Sequence, residues 1–219
     1  MEYYYFDILI LSGGNDVKLE IVEESNTDEL NSAIVNRNNM ELNLIGSFLQ
    51  CSKPIFGICH GLQIINHYFG GTLKKVKSRD NHVSNEHEVT LESSEAQNLF
   101  GSKIMVVNSF HNYAIDNVGN SLNIDAVSLD GEVEMLTNLK KKVYAFMWHP
   151  ERFLSDTYFM NINQNLIYNI ATKKLDKYST KGKLDFIVSS ISKDCGFVTM
   201  EDTYKCNYYK PLISQNLIN

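Results

Sequence analysis

The sequence predicts an α/β domain, a largely parallel sheet with helices on its faces, and three observations carry that prediction. Phe6 to Leu11 and Ile55 to Ile58 are short apolar runs, the first closed by Ser12-Gly13-Gly14 and the second opened by Pro54. Such runs, with no polar alternation, are what strands buried on both faces look like, and parallel strands are buried that way. Stretches with apolar residues three to four apart lie between these runs, as amphipathic helices require. Asp130-Gly131, between two further strand-like stretches, is a strong hairpin signal. Strand and helix in alternation build a layered sheet.

The elements follow in order. Residues 38–50 read as a helix with Met40, Leu44, Phe48 and Leu49 on one face, and Pro54 blocks its continuation. Ile55 to Ile58 is a strand, and Gly61 to Tyr68 a helix closed by Gly70-Gly71. Glu88 to Leu91 and Ile104 to Asn108 are strand-like. Ile124 to Leu129 and Val133 to Thr137 flank the hairpin turn, and Val143 to Trp148 is a further strand. A helix is expected from Ser155 or Asp156, with Phe159, Ile162, Leu166 and Ile170 on one side. Residues 1–175 therefore form one domain. Residues 176–183 read as a polar linker, and 176–219 as an extension too short to build much core of its own.

Composition narrows the function classes. A chain of 219 residues is one domain with at most a short appendage. No apolar run reaches the roughly 18 residues of a membrane span, so no membrane partner is expected. The start, MEYYYFD, lacks a basic segment followed by an apolar one, so a secretory signal is not expected and a cytoplasmic location is. A net charge of −6 gives no support to nucleic-acid binding. Cys51, Cys59, Cys195 and Cys206 have no metal-site spacing and are expected as reduced thiols.

Three segments carry chemistry. Gly57-x-Cys59-x-Gly61, between a buried strand and a helix, is the cysteine form of a nucleophile elbow. Its glycines let strand and helix approach, and Cys59 falls at a helix N-terminus, where thiolate is favoured. Trp148-His149-Pro150-Glu151 ends the last strand. A thiol needs a base, and the base an orienting acceptor; His149 and Glu151, two apart, can point the same way. Ser12-Gly13-Gly14, after the first strand, can present backbone N–H groups to an oxyanion. Alone, an HPE turn or a glycine pair is as easily an ordinary turn, and an isolated G-x-C-x-G can be a structural cysteine. Together the three are not readily explained without catalysis.

As a set, SGGND, GICHGLQ, VNSFHNYAI at 107–115, DGEVEML and FMWHPER at 146–152 resemble the class I glutamine amidotransferase fold, within it the γ-glutamyl hydrolase branch, peptidase family C26. The resemblance covers about residues 5–174. It implies a three-layer flavodoxin-like domain and hydrolysis of a γ-glutamyl amide through a glutamyl thioester. Cys59 would be the nucleophile, His149 the base and Glu151 its orienting group. The N–H groups of Gly14 and His60 would hold the oxyanion, Gln63 the glutamyl end, and Asn108, Ser109, Phe110 and His111 would line the pocket. No metal and no organic cofactor are implied. The partner is a small γ-glutamyl substrate. The motif details are similar to hydrolases of surface-polysaccharide (capsule) pathways, one of which acts on a γ-glutamyl cytidine-diphosphate amidate. The alternatives are a glutaminase subunit that passes ammonia to a synthetase, and a catalytically decayed interaction module.

Two departures stand out. Family members normally open with one more strand and helix before the SGG strand, and from the resemblance this chain is expected to lack that unit. An open sheet edge, with a homodimer formed through it, is the consequence expected; the apolar stretch 184–191 is a candidate cover. The family also lacks the 176–219 extension. Between elbow helix and next strand, Arg79 could contact a phosphate or carboxylate of the leaving group. His82, Glu86 and His87 lack an evident third ligand, so a polar loop is the reading there rather than a metal site.

Overall fold

The computed structural model describes residues 6–15, 17, 28–152 and the strand at 186–189. Along the chain these form β1 (Ile8–Leu11), α1 (Asp28–Gln50), β2 (Ile55–Ile58), α2 (His60–Tyr68), β3 (Leu73–Lys75), α3 (Arg79–His82), β4 (Val83–Leu91), α4 (Ser94–Phe100), β5 (Ile104–Phe110), β6 (Tyr113–Ile115), β7 (Asn123–Ser128), β8 (Val133–Asn138), β9 (Val143–Phe146) and β10 (Phe186–Ser189). Ten of these strands are accounted for by an eight-stranded sheet, in the order β10-β1-β2-β9-β8-β7-β4-β5, and a small antiparallel β3-β6 ribbon. The half carrying β10, β1, β2 and β9 is parallel; from β9 through β8, β7 and β4 to β5 neighbours run antiparallel.

The predicted α/β class is what forms, and the apolar runs show why. In β1, Ile8 and Ile10 pack into one core and Leu9 and Leu11 into the other. In β9, Tyr144 and Phe146 face the first core, Val143 and Ala145 the second. Successive side chains leave opposite faces of a strand, so a strand covered on both sides must be apolar throughout. Leu44, Ile45 and Phe48 of α1 and Leu62, Ile64 and Ile65 of α2 cover the second face; Ala96 and Phe100 of α4 cover the first. Phe100 meets Trp148 edge to face at 5.9 Å. Each fully buried side chain of this size contributes about 1.5–3 kcal/mol.

Several elements run longer than their apolar pattern. α1 begins at Asp28 rather than 38: among the described side chains ahead of 38 it buries Ile34 and Arg37, and a single buried apolar residue marks no helical period. β4 begins at Val83, and its extra residues, Ser84 to His87, are polar. α4, not foreseen, is capped by Ser93, whose Oγ accepts from the Ala96 N–H at 3.1 Å. The Asp130-Gly131 hairpin forms, with Gly131 at φ 83. β1 is not an open edge: Ile8 to Leu11 pair in parallel with Phe186 to Ser189. That places part of the 184–191 stretch where it was offered as a cover. The helix expected from 155, the 176–183 linker, Cys195 and Cys206 lie outside the described residues. Among the described residues no helix is long and apolar enough to cross a membrane.

Candidate active site

Cys59 occupies the turn from β2 into α2 with φ 50 and ψ −101. A non-glycine residue there is strained by roughly 1–3 kcal/mol and persists only where its surroundings over-determine it. They do. Its N–H donates to the Phe146 carbonyl on β9 at 2.7 Å, and its carbonyl accepts from the N–H groups of Leu62 at 2.9 Å and Gln63 at 3.1 Å. A Cβ on Gly57 would lie 2.6 Å from the Gly61 carbonyl group, and one on Gly61 would strike the Leu11 carbonyl oxygen. Both elbow glycines are thus required by close packing. The Cys59 side chain is buried.

His149 arrives from the neighbouring strand. β2 and β9 are parallel with Ile58 opposite Phe146, so Cys59 and His149 both emerge at the carboxyl end of the sheet. His149 Nδ1 lies 2.7 Å from Glu151 Oε1. A carboxylate only accepts, so Nδ1 carries the proton and Nε2 of the neutral ring keeps its lone pair. Asn108 fixes the backbone of His149 from both sides: its Oδ1 accepts from the His149 N–H at 2.8 Å, and its Nδ2 donates to the His149 carbonyl at 2.9 Å. The Phe110 ring stands edge-on to the imidazole at 5.6 Å, and the Arg152 guanidinium lies 4.3 Å over Phe110.

The loop after β1 is clamped by a buried polar chain absent from the sequence-based expectations. Arg37 Nη2 donates to the Ser12 carbonyl at 2.7 Å, and its Nε to Glu41 Oε1 at 2.8 Å. Glu41 Oε2 lies 2.9 Å from His60 Nε2, and His60 Nδ1 lies 2.6 Å from the Asn15 carbonyl. The His60 side chain therefore joins the Ser12–Asn15 loop to the elbow helix, while its N–H belongs to the first turn of α2, where backbone donors lack intrahelical partners. Gln63, buried one turn on, accepts from the Val17 N–H at 3.0 Å and braces the same loop.

The VNSFH segment divides by strand alternation. Asn108 and Phe110 meet His149. Ser109 faces away, donating to the His82 carbonyl at 2.9 Å, and His111 is drawn into a buried cluster with His82 and Glu134. This is the one group among the described residues whose side chains could hold a metal ion. Burial alone would lower the His82 pKa, but Glu134 and Asp130 outweigh it and hold it above the ordinary value. Burial would raise Asp130, yet Ser128 and His82 bring it down to about 2. Glu86 is not in the cluster. Arg79 is exposed on α3.

The family model for peptidase C26 matches residues 4–151. The chain belongs to the peptidase C26 family. A glutamine amidotransferase-like protein of Lactococcus lactis, YvdE, is 35% identical over 156 residues, 66% of this chain and 66% of that protein. A γ-glutamyl-CDP-amidate hydrolase of Campylobacter jejuni is 31% identical over 144 residues, 66% of this chain and 62% of that protein. The chain thus spans just under two thirds of the length of these relatives. The crystal structure of a glutamine amidotransferase from Thermotoga maritima superposes with a TM-score of 0.54 at 15% identity, covering 83% of this chain and 69% of that one. The C26 chain therefore has the glutamine amidotransferase fold.

Proposed function

We propose that this chain hydrolyses a γ-glutamyl amide bond, with Cys59, His149 and Glu151 as nucleophile, base and orienting group. One observation carries the reading: an imidazole held by a carboxylate at 2.7 Å emerges beside a strained cysteine on the adjacent parallel strand. Cys59 Sγ attacks the γ-carbonyl carbon as its proton passes to His149 Nε2. The oxygen becomes an oxyanion, held by N–H groups of the Gly14 loop and the first turn of α2. Collapse breaks the C–N bond, and His149 returns the proton to the leaving nitrogen. Water, deprotonated by the same imidazole, then attacks the thioester and frees glutamate and the Cys59 thiol.

For the leaving group we infer a cytidine-diphosphate amidate. The similarity to the Campylobacter hydrolase supports it. So does Arg79, exposed four residues before Val83, whose strand partner Phe110 touches the imidazole. The test is glutamate release from a panel holding γ-glutamyl-CDP-amidate, simple γ-glutamyl amides and glutamine. Preference for the CDP-amidate is expected. Turnover of glutamine alone points instead to a glutaminase that supplies ammonia to a synthetase. A pure, folded protein that cleaves none of them overturns the hydrolase reading.

A further inference from the structure

Behind β5, on the side away from His149, four titratable side chains converge. Glu134 of β8 points its Oε1 at His82 Nδ1 (3.5 Å), His111 Nε2 (3.5 Å) and His87 Nε2 (3.6 Å). His82, His111 and Glu134 are fully buried, and none of these four atoms makes a hydrogen bond. The far nitrogens are engaged. His82 Nε2 lies 3.0 Å from the Asp130 carboxylate, and His111 Nδ1 lies 3.0 Å from the Tyr113 carbonyl.

Those outer partners decide what the inner nitrogens present. Carboxylate and carbonyl oxygens only accept, so His82 Nε2 and His111 Nδ1 must carry their protons. In a neutral ring the other nitrogen then holds a lone pair. Two lone pairs facing a carboxylate oxygen in a dry interior repel, and unpartnered buried polar atoms are costly. A positive centre resolves this. Protons would have to charge several crowded rings beside one carboxylate, whereas a single divalent cation satisfies every group. The 3.5–3.6 Å from Glu134 Oε1 to the imidazole nitrogens suits one, since a tetrahedral site with bonds of about 2.0–2.1 Å has its ligand atoms about 3.4 Å apart, and the ligand atoms of His82, His111 and Glu134 all lie within 4.8 Å of one another. An imidazole held by a carboxylate, and another by a backbone carbonyl, is also how metal-ligating histidines are usually oriented.

We propose that His82, His111 and Glu134, with His87 as fourth ligand, bind one divalent cation of the zinc type. Three imidazoles and a carboxylate suit zinc in both softness and geometry. With four protein ligands the site is closed, so its role is structural. It ties the end of α3, β4 and the residue after β5 to β8, directly behind the strand that positions His149.

The test starts from untagged protein purified without chelator, analysed by plasma mass spectrometry. Apoprotein is then titrated with zinc against a chromophoric competitor and with cobalt, read by visible absorption. One equivalent per chain with a tetrahedral cobalt spectrum is expected. Glu134→Gln should abolish it, and Asp130→Asn should weaken it by about 10–100-fold through the outer contact. Cys59→Ala should leave it intact. If Glu134→Gln does not fold, His87→Asn, at the least buried ligand, should still lower affinity at least tenfold. Folded apoprotein that takes up no stoichiometric metal overturns the proposal. So does a site lost in Cys59→Ala but unchanged in His87→Asn and Asp130→Asn.

Discussion

Gly13 and His149 are in such close approach that a Cβ on the glycine would lie 2.5 Å from the imidazole Cε1. The loop after β1 therefore does more than offer N–H groups: its bare backbone forms one wall of the slot holding the ring. Gly13→Ala should push the imidazole aside while leaving the core untouched. A displacement on the order of 1 Å costs about a hundredfold in rate. Steady-state kinetics with a melting curve is the check; unchanged kcat/KM shows that the ring has room to spare.

Cys59→Ala should remove hydrolysis by several orders of magnitude, as for other triad nucleophiles, with the fold retained. Cys59→Gly should be equally inactive yet more stable than the parent. It releases a residue held at φ 50, worth about 1 kcal/mol or more. For a chain of this size that is a rise of about 2–4 °C in melting temperature. A lower melting temperature for Cys59→Gly than for Cys59→Ala means that the elbow is relaxed.

A glutamine-like electrophile should modify Cys59 far faster than Cys51, Cys195 or Cys206. Cys59 alone among the described cysteines stands at a helix N-terminus with an imidazole emerging from the adjoining strand. Peptide mass mapping after brief exposure reads this directly. Equal labelling of all four removes the special status of Cys59.

Glu41→Ala should be among the most destabilising single changes. It leaves Arg37 buried without its carboxylate and His60 without the partner at its Nε2. Breaking a buried pair from one side costs about 3–5 kcal/mol. Urea denaturation of both proteins measures it, and a loss below about 1 kcal/mol means the chain Arg37–Glu41–His60 carries little.

Removing residues 176–219 should expose the β1 edge that β10 now covers. Each backbone group left buried and unpaired costs on the order of 1–3 kcal/mol, and edge-to-edge association is the usual outlet. Light scattering should show dimers or larger species, and melting should come earlier. A shortened chain that stays monomeric with an unchanged melt shows that the β1–β10 pairing contributes nothing.

What could be read ahead of the structure was what apolar runs and short motifs encode. Ile8 to Leu11 and Ile55 to Ile58 announce themselves because both faces are covered. Gly57, Cys59 and Gly61 do so because only glycine permits that approach. Arg37 and Glu41 gave no such signal, since a polar residue buried on a helix looks like one on the surface until its partners are known. The cluster was half visible. His82 and His87 are near neighbours in the chain, but Glu134 and His111 reach them only through the order of β8, β4 and β5 in space. Reading VNSFH as one unit assigns His111 to the substrate pocket, whereas a strand sends alternate residues to opposite sides, and the His111 side chain lies with His82 and Glu134. α4 was missed although Ser93 and Gly101 bracket it.

That alternation along β5 has a consequence for how this stretch of the gene can change. Asn108 and Phe110 serve the imidazole, and Ser109 and His111 serve the opposite side. Substitutions at outward positions such as Ile104, half exposed, disturb neither. An insertion or deletion of a single codon before Asn108 would turn every later side chain to the other face, sending asparagine toward Glu134 and histidine toward the His149 ring. Chain length between the Gly101 cap and His111 is therefore under tighter constraint than the identity of most residues within it.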